Sequence, residues 1–508
     1  MGSPIKLTLN LRTLGIFKQL ARESVIYGAS TAIGRFVYLL LAPVLTRIFA
    51  PEDYGVISLI QLAIGFATIF CGMNLGSGIG YYFFKAEKKD EQYVVLATGF
   101  WVSLAIASFI SGGFAFLVPQ LVELLQVREE GPILGHDLEL YLEVGSLSLF
   151  FGVMQTGLSS MLRFLGKPYH YVVVQLSHVF TTLASVLIFV IYFEFGVIGV
   201  FLGGAVGSLM GFFVSFLMLS RKLFHSPTKP VLLSILSYAF PQMPAAMLNW
   251  IQTQMGRYCI NLFVSLREQG IYAIGFAIAS ALILVTTAFR LAYDPFALSV
   301  MKKPDAPLIY AKTYKLFICA FGMILSVLAT FGKPLVQVIF PDSYGEAHTL
   351  IPFLATGFFY LGASNILATG IWVSGKTVFT SYAQGLAFLF LLPANLFLVP
   401  ALGALGASLA FFAGNLAYNL FVYLFSQKLF PVPYYYWRTH VWVLAANLIF
   451  WFNTEFTKGL ELVELTIICL FSAFFSIVLI WMIFLNRDDQ KLIKSFLLNF
   501  WQKRVYSI

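Results

Sequence analysis

Long apolar stretches recur along the whole chain, each closed by a short polar or Gly/Pro-containing turn. They fall at residues 24–49, 54–84, 94–118, 141–162, 170–193 and 197–219, then at 237–263, 271–300, 313–331, 348–373, 378–399 and 404–426, and last at 439–453 and 463–485. A bilayer core is crossed by roughly 20 apolar residues in a helix. The pattern therefore predicts an all-α, polytopic membrane protein with 14 transmembrane helices, the thirteenth being the shortest. Several segments exceed 25 residues and predict tilting or bending. Composition agrees: 59% of the 508 residues are hydrophobic and 11% charged, against about a quarter charged in a globular domain. A soluble enzyme, a nucleic-acid binder and a disordered scaffold are excluded. The first segment is longer than a signal-peptide core and contains Arg35, so it is expected to be retained as a helix. Cys71, Cys259, Cys319 and Cys469 stand singly in apolar stretches, so no disulfide framework, metal site or cofactor is expected.

The net charge of +9 is informative through its distribution. With the N-terminus inside, 24 of the 32 Lys and Arg residues lie on the cytoplasmic side. Five lie outside (Arg47, Arg128, Arg267, Lys333 and Lys458), and Arg35, Arg257 and Arg290 fall within spans. This bias predicts that both termini are cytoplasmic. The longest outside loop, residues 119–140, is acidic and too short to be a domain. Polymerases, ligases and glycosyltransferases need a catalytic loop or domain, so an enzyme is not expected. Asp488-Asp489 resembles a nucleotide-sugar metal site but stands in the tail without such a domain. Residues 1–23 and 487–508 are basic and mildly amphipathic, and are expected to lie along the cytoplasmic membrane surface.

A repeat is visible at the scale of half the chain. Gly166-Lys167 follows the fourth segment and Gly375-Lys376 the tenth. Gly196-Val197-Ile198-Gly199 joins the fifth and sixth, and Gly403-Ala404-Leu405-Gly406 the eleventh and twelfth. Glu52-Asp53-Tyr54-Gly55 has a counterpart about 215 residues on, in Glu268-Gln269-Gly270-Ile271-Tyr272. Six spans per copy give a parallel repeat with an axis along the membrane normal and binding expected between the copies. The expected division is an N-lobe (24–222), a C-lobe (223–428) and two extra C-terminal helices (429–486).

At these residues the chain resembles a known family. Thr46-Arg47-Ile48-Phe49-Ala50-Pro51-Glu52-Asp53-Tyr54-Gly55 is similar to the first-loop signature of polysaccharide-biosynthesis flippases. Arg163-Phe164-Leu165-Gly166-Lys167 and Gly270-Ile271-Tyr272 are similar to further features of that family, which belongs to the multidrug/oligosaccharidyl-lipid/polysaccharide (MOP) exporter superfamily. The resemblance extends over residues 24 to about 485. It implies two six-helix lobes around a V-shaped cavity, with spans 13 and 14 packed outside. It further implies alternating access in a bacterial inner membrane, turning an undecaprenyl-diphosphate-linked oligosaccharide from the inner to the outer leaflet for surface polysaccharide. Partners would be that substrate, membrane lipids and other polysaccharide-assembly proteins, with no nucleic acid. Alternatives are an ion-coupled drug or metabolite antiporter, a group with typically 12 spans, and a flippase for the peptidoglycan precursor. A polytopic polymerase or glycosyltransferase is the distant one.

A charged side chain at the bilayer centre costs roughly 2.5–3.5 kcal/mol on insertion scales. Arg35 shares a helical face with Thr31 and Tyr38 at the i, i+4, i+7 spacing. In span 7, Asn249, Thr253, Arg257 and Asn261 recur every fourth residue, with Gln242, Gln252 and Gln254 nearby. Such a stripe must line water or another helix. Arg35, Arg257 and Arg290 are the candidate diphosphate ligands, because guanidinium makes paired bonds to phosphate. The bland readings are that Arg290 pairs with Asp294 at i+4 and that Arg257 snorkels. Asp294 is the candidate for ion coupling. Gln175, His178 and Thr182 on span 5, with Asn365 and Gln384, are candidate glycan contacts, or plain interhelical hydrogen bonds. Gly72, Gly76, Gly78 and Gly80 mark either a hinge in span 2 or a close helix contact.

Overall fold

The computed structural model describes residues 40–125, 135–301, 303–457 and 460–484, together with Ser30, Ile33, Gly34 and Val37. Arg35 with Thr31 and Tyr38, the basic arm and tail, and the middle of the 119–140 loop lie outside the described residues. Among the described residues all regular structure is helical. In order, α1 covers residues 40–48, α2 Pro51–Gly72, α3 Leu75–Lys85, α4 Lys89–Phe116, α5 Val118–Leu125 and α6 Gly135–Phe164. Then come α7 Pro168–Leu187, α8 Val197–Leu223, α9 Lys229–Ala239, α10 Met243–Phe263, α11 Leu266–Ala279 and α12 Ala281–Val300. The chain continues with α13 Ala306–Thr330, α14 Gly332–Ile339, α15 Ala347–Leu367, α16 Thr369–Val373, α17 Val378–Leu429, α18 Tyr436–Phe456 and α19 Leu462–Phe484.

Ten helices among these residues are long and apolar enough to cross a membrane. That count differs from the 14 apolar segments for identifiable reasons. Helix α17 holds the eleventh and twelfth segments, and Gly403 within it is non-helical (φ 60, ψ −135). Helix α6, the fourth segment, is diluted beyond its acidic start by Ser146, Ser148, Gln155, Thr156, Ser159 and Ser160, and much of the first segment lies outside the described residues. Helix α18, the thirteenth, is diluted by polar residues such as Arg438, His440 and Asn447. Large apolar side chains remain exposed, among them Phe109, Phe397 and Phe471, each at least 70%. An exposed apolar surface on this scale needs lipid against it.

Local sequence explains where helices start and turn. Pro51 occupies the first turn of α2, where its missing N–H is no loss, and the Asp53 carboxylate accepts the Ala50 N–H at 3.2 Å. Pro168 opens α7 in the same way. The glycines with positive φ among the described residues are Gly166 (63°), Gly196 (67°), Gly375 (71°) and Gly403 (60°). These are the four that repeat in sequence. Gly196 and Gly403 also match in ψ, at −142° and −135°, so the same backbone turn recurs after the same interval.

The chain forms two compact units. One comprises the chain up to Ile274 with Thr286–Phe296 and Leu392–Ala407; the other comprises Gly275–Val285, Ala297–Leu391 and the chain from Ser408. In the first, α6, α7 and α8 pack closely because glycines remove side chains from the contact. A Cβ on Gly207 would overlap the Thr182 hydroxyl, and one on Gly203 would stand 2.6 Å from the Val186 backbone nitrogen. In the second, the Trp442 ring lies against Phe359 (5.5 Å), and Phe359 stacks on Phe321 (5.6 Å). Ser326 and Ser476 share a buried hydrogen bond of 2.8 Å that ties α13 to α19.

Replacing Gly203 with Val forces the α7 backbone away from α8. Overpacking of this kind costs about 1–3 kcal/mol, so the variant is expected to melt several degrees lower in detergent. Gly112→Ala meets no atom within 4 Å and is expected to leave the melting temperature unchanged or raised.

Candidate functional site

The first-loop segment and its repeat counterpart pack against each other within the first unit. A Cβ on Gly55 would run into the Leu266 carbonyl oxygen, and a Cβ on Gly270 into the Pro51 carbonyl oxygen. Pro51 and Leu266, like Gly55 and Gly270, are 215 residues apart. Each copy thus supplies the glycine that admits the other copy's carbonyl. Glu52 and Arg267, equivalent at the same interval, form an ion pair at 3.7 Å with side chains 43% and 48% exposed. Next to them the Glu268 carboxylate accepts the Ala404 N–H at 2.5 Å, fixing the turn at Gly403. This clasp joins the first turns of α2 and α11.

Arg257 on α10 lies in electrostatic contact with the phenols of Tyr54 and Tyr272, both beside the clasp. Gly256 makes room for this, since a Cβ there would stand 3.2 Å from the Tyr272 hydroxyl. Along the stripe, Asn249 is exposed, Thr253 and Arg257 are half-buried, and Asn261 is buried. Thr253 donates its hydroxyl to the Trp250 carbonyl at 2.9 Å, while Gln252 is buried. The polar face of α10 is therefore open at one end and ends beneath the clasp at the other. On α12, Arg290 pairs with Asp294 at 3.4 Å, with side chains 41% and 38% exposed. In the second unit, Asn365 donates to the Leu361 carbonyl of its own helix (3.2 Å) and Gln384 is buried.

A second polar region surrounds the glycines of span 2. Helix α2 ends at Gly72, and Met73 (φ 39) and Asn74 (φ 52) are left-handed before α3 begins. Non-glycine residues adopt this conformation at a penalty of roughly 1–2 kcal/mol each. Asn74 spans the break by donating to Gln242 at 2.9 Å, and Gln242 lies in the 3₁₀ turn that interrupts α9 and α10. Two helix interruptions are thereby joined by one hydrogen bond. Beside the break is a cavity of about 670 Å³ lined by Asn74, Gln155, Thr156, Ser160, Arg163 and His178, among others. Gly76, Ser77 and Phe164 also line an adjoining recess of about 590 Å³, together with Tyr81, Lys85 and Tyr238. His178, named from sequence, faces this cavity; Gln175 is half-buried on the same helix. Arg163 was counted from sequence only as an orienting charge, although it belongs to the Arg163–Lys167 signature. Among the described residues no group of three or more His, Cys, Asp or Glu is arranged to hold a metal ion.

The four glycines of span 2 divide into two kinds. A Cβ on Gly72 meets nothing within 4 Å, and one on Gly76 only the Ser160 hydroxyl at 4.0 Å. A Cβ on Gly78 would stand 2.7 Å from the Ile235 carbonyl oxygen, and one on Gly80 2.8 Å from the Phe164 ring. The first pair flanks the break, and the second pair admits neighbours.

Two outcomes follow for stability in detergent. Gly55→Ala and Gly270→Ala are each expected to lower the melting temperature more than Glu52→Gln or Arg267→Gln, because the glycines face immovable carbonyls. An exposed ion pair is worth only about 0.2–1 kcal/mol. Likewise Gly78→Ala is expected to destabilise the protein, whereas Gly76→Ala is tolerated in the fold. Thermal unfolding followed by size-exclusion fluorescence checks both.

The signature described as "Polysaccharide biosynthesis protein" matches residues 44–349, more than half of the chain. No curated protein sequence matches. Among solved structures the chain is similar to the lipid II flippase MurJ in an inward closed conformation (TM-score 0.69, 14% identity, 90% of this chain and 99% of that one). It is similar also to an inward-facing multidrug resistance MATE family transporter of the MOP superfamily (TM-score 0.63, 14% identity, 78% and 97%). A mutant of the Vibrio cholerae MATE transporter VcmN gives a TM-score of 0.55 at 16% identity, covering 81% and 97%. At these identities the likeness is one of fold. An all-helical, multi-pass membrane protein with the MOP fold, this chain belongs to the polysaccharide biosynthesis protein family.

Proposed function

We propose that the protein is a flippase that moves a polyprenyl-diphosphate-linked oligosaccharide from the inner to the outer leaflet of a bacterial inner membrane for surface polysaccharide assembly. The chain would cross 14 times with both termini cytoplasmic, in lobes at 24–222 and 223–428 with an added pair at 429–486. The carrying observation is the polar face of α10, open at Asn249 and buried at Asn261, which ends under the Gly55–Gly270 clasp. A transport path needs polar groups at membrane depth and a barrier at one end, and this face with the clasp would supply both. Arg257, with Arg35 and Arg290, would hold the diphosphate by charge-assisted hydrogen bonds. Asp294 would tune Arg290 and is the candidate for ion coupling. Opening the clasp on one side, with closure on the other, would complete alternating access. Family membership supports polysaccharide assembly as the setting, and the other proteins of that assembly are the proposed partners.

Deleting the gene is expected to remove a surface glycan while lipid-linked repeat units accumulate at the inner leaflet. Arg257→Ala and Arg35→Ala are expected to reproduce this at normal protein abundance. A hydrogen bond to a charged group contributes about 1.5–3 kcal/mol, so export should fall about ten- to a hundredfold. Surface glycan and lipid-linked intermediates, measured in parallel, check it. Unchanged glycan with increased drug sensitivity would point instead to an antiporter, and loss of cell-wall synthesis to a peptidoglycan-precursor flippase.

A further inference from the structure

We propose that the cavity beside the α2–α3 break is a saccharide subsite for the oligosaccharide headgroup, with Arg163 at its mouth holding an acidic group of that headgroup. The inference rests on the flippase reading and adds a location and a chemistry to it. The cavity, at about 670 Å³, falls within the range of roughly 300–1,000 Å³ typical of small-molecule sites. Apart from Arg163 and His178 its polar lining is hydroxyl- and amide-rich, drawn from several helices: Ser77 on α3, Ser103 on α4, Thr156 and Ser160 on α6, and Ser208 on α8. No Asp or Glu lines it. A lining of hydroxyls and amides without carboxylates matches a polyol, which needs many donors and acceptors and no counter-charge; a cationic ligand would find nothing to neutralise it. Ser148, also on the lining, has a buried hydroxyl with no hydrogen-bond partner, and such a group is satisfied by a ligand or water. Arg163 is held in place: it donates to the Ser160 hydroxyl at 2.8 Å and its guanidinium lies 5.6 Å from the centre of the Tyr171 ring. In the adjoining recess, Tyr81 stacks on Tyr238 at 4.5 Å, with Lys85 5.9 Å from the Tyr81 ring. Apolar ring faces of this kind accept the C–H faces of sugars, and Lys85 adds a second cation on the side assigned to the cytoplasm.

Photocrosslinking in cells that make the polysaccharide tests the placement. A photoreactive aromatic residue replaces Thr156 in the cavity or, separately, Asn249 on the α10 stripe, and adducts of the purified full-length protein are read by mass spectrometry. Sugar-bearing lipid adducts at position 156 are the expected result. Sugar-bearing adducts at position 249 alone would overturn the subsite and leave the flippase reading standing. Sugar-free adducts at both positions would overturn both. In parallel, Thr156→Val removes one hydroxyl with little change of shape, and export is expected to fall about two- to tenfold. Arg163→Gln should reduce export at least as much, with partial rescue by Arg163→Lys. Full export in both Thr156→Val and Arg163→Gln would count against the proposal.

Discussion

The structure of the first unit depends on two glycines that each admit the other repeat's carbonyl. Backbones reach this proximity only where neither carries a Cβ, and here the condition is met twice by residues 215 positions apart. Because the contact is reciprocal, the two halves cannot be altered independently: moving Leu266 away from Gly55 also moves Gly270 away from Pro51. The surrounding polar bonds are unequal. Glu268 to the Ala404 N–H is a short charge-assisted bond of the stronger class. Glu52–Arg267 is nearly half exposed and so adds little. A contact of this composition is specific in register, because the carbonyls fit only opposite the two glycines.

A second constraint is the irregular backbone inside the unit. At membrane depth, unpaired backbone is tolerated where it lines a cavity or is covered by protein. The α2–α3 break does both: Asn74 lines the cavity and bonds across to Gln242 at the other interruption. Left-handed Met73 and Asn74 represent local strain, which persists only when the surroundings hold it. The holding groups are visible in the Asn74–Gln242 bond, in Ser77 donating to the Asn74 carbonyl at 2.8 Å, and in the close seat of Gly78 on Ile235.

Much of the fold was legible because membrane helices write themselves in long apolar runs and because the repeat reuses its turns. Gly166, Gly196, Gly375 and Gly403 could be found from sequence, since a positive φ favours glycine and the neighbours repeat with it. That Pro51–Gly55 touches Leu266–Gly270 could not be read, because equivalence in a repeat does not say that equivalent loops meet. The glycines of span 2 were ambiguous for a related reason. A missing side chain looks the same in sequence whether it frees the backbone, as beside the break, or admits a neighbour, as at Gly78 and Gly80. Arg163 was hidden by its location at a helix end, where a cation ordinarily serves orientation. Its second role follows only from the cavity that the break creates. The span count differs because apolar runs separated by Gly403 merge into one helix and serines, Thr156 and Gln155 dilute α6.

The arginines within the first unit are not equivalent, and their neighbours rank them. Arg290 has a carboxylate 3.4 Å away in Asp294, so much of its field is cancelled locally. Arg257 interacts electrostatically with the phenols of Tyr54 and Tyr272. Tyr54 directly precedes Gly55, and Tyr272 follows Gly270 by two residues. No motion can separate the clasp glycines without carrying these phenols with them. Tyr54 and Tyr272 therefore tie the surroundings of Arg257 to the packing of the two glycines.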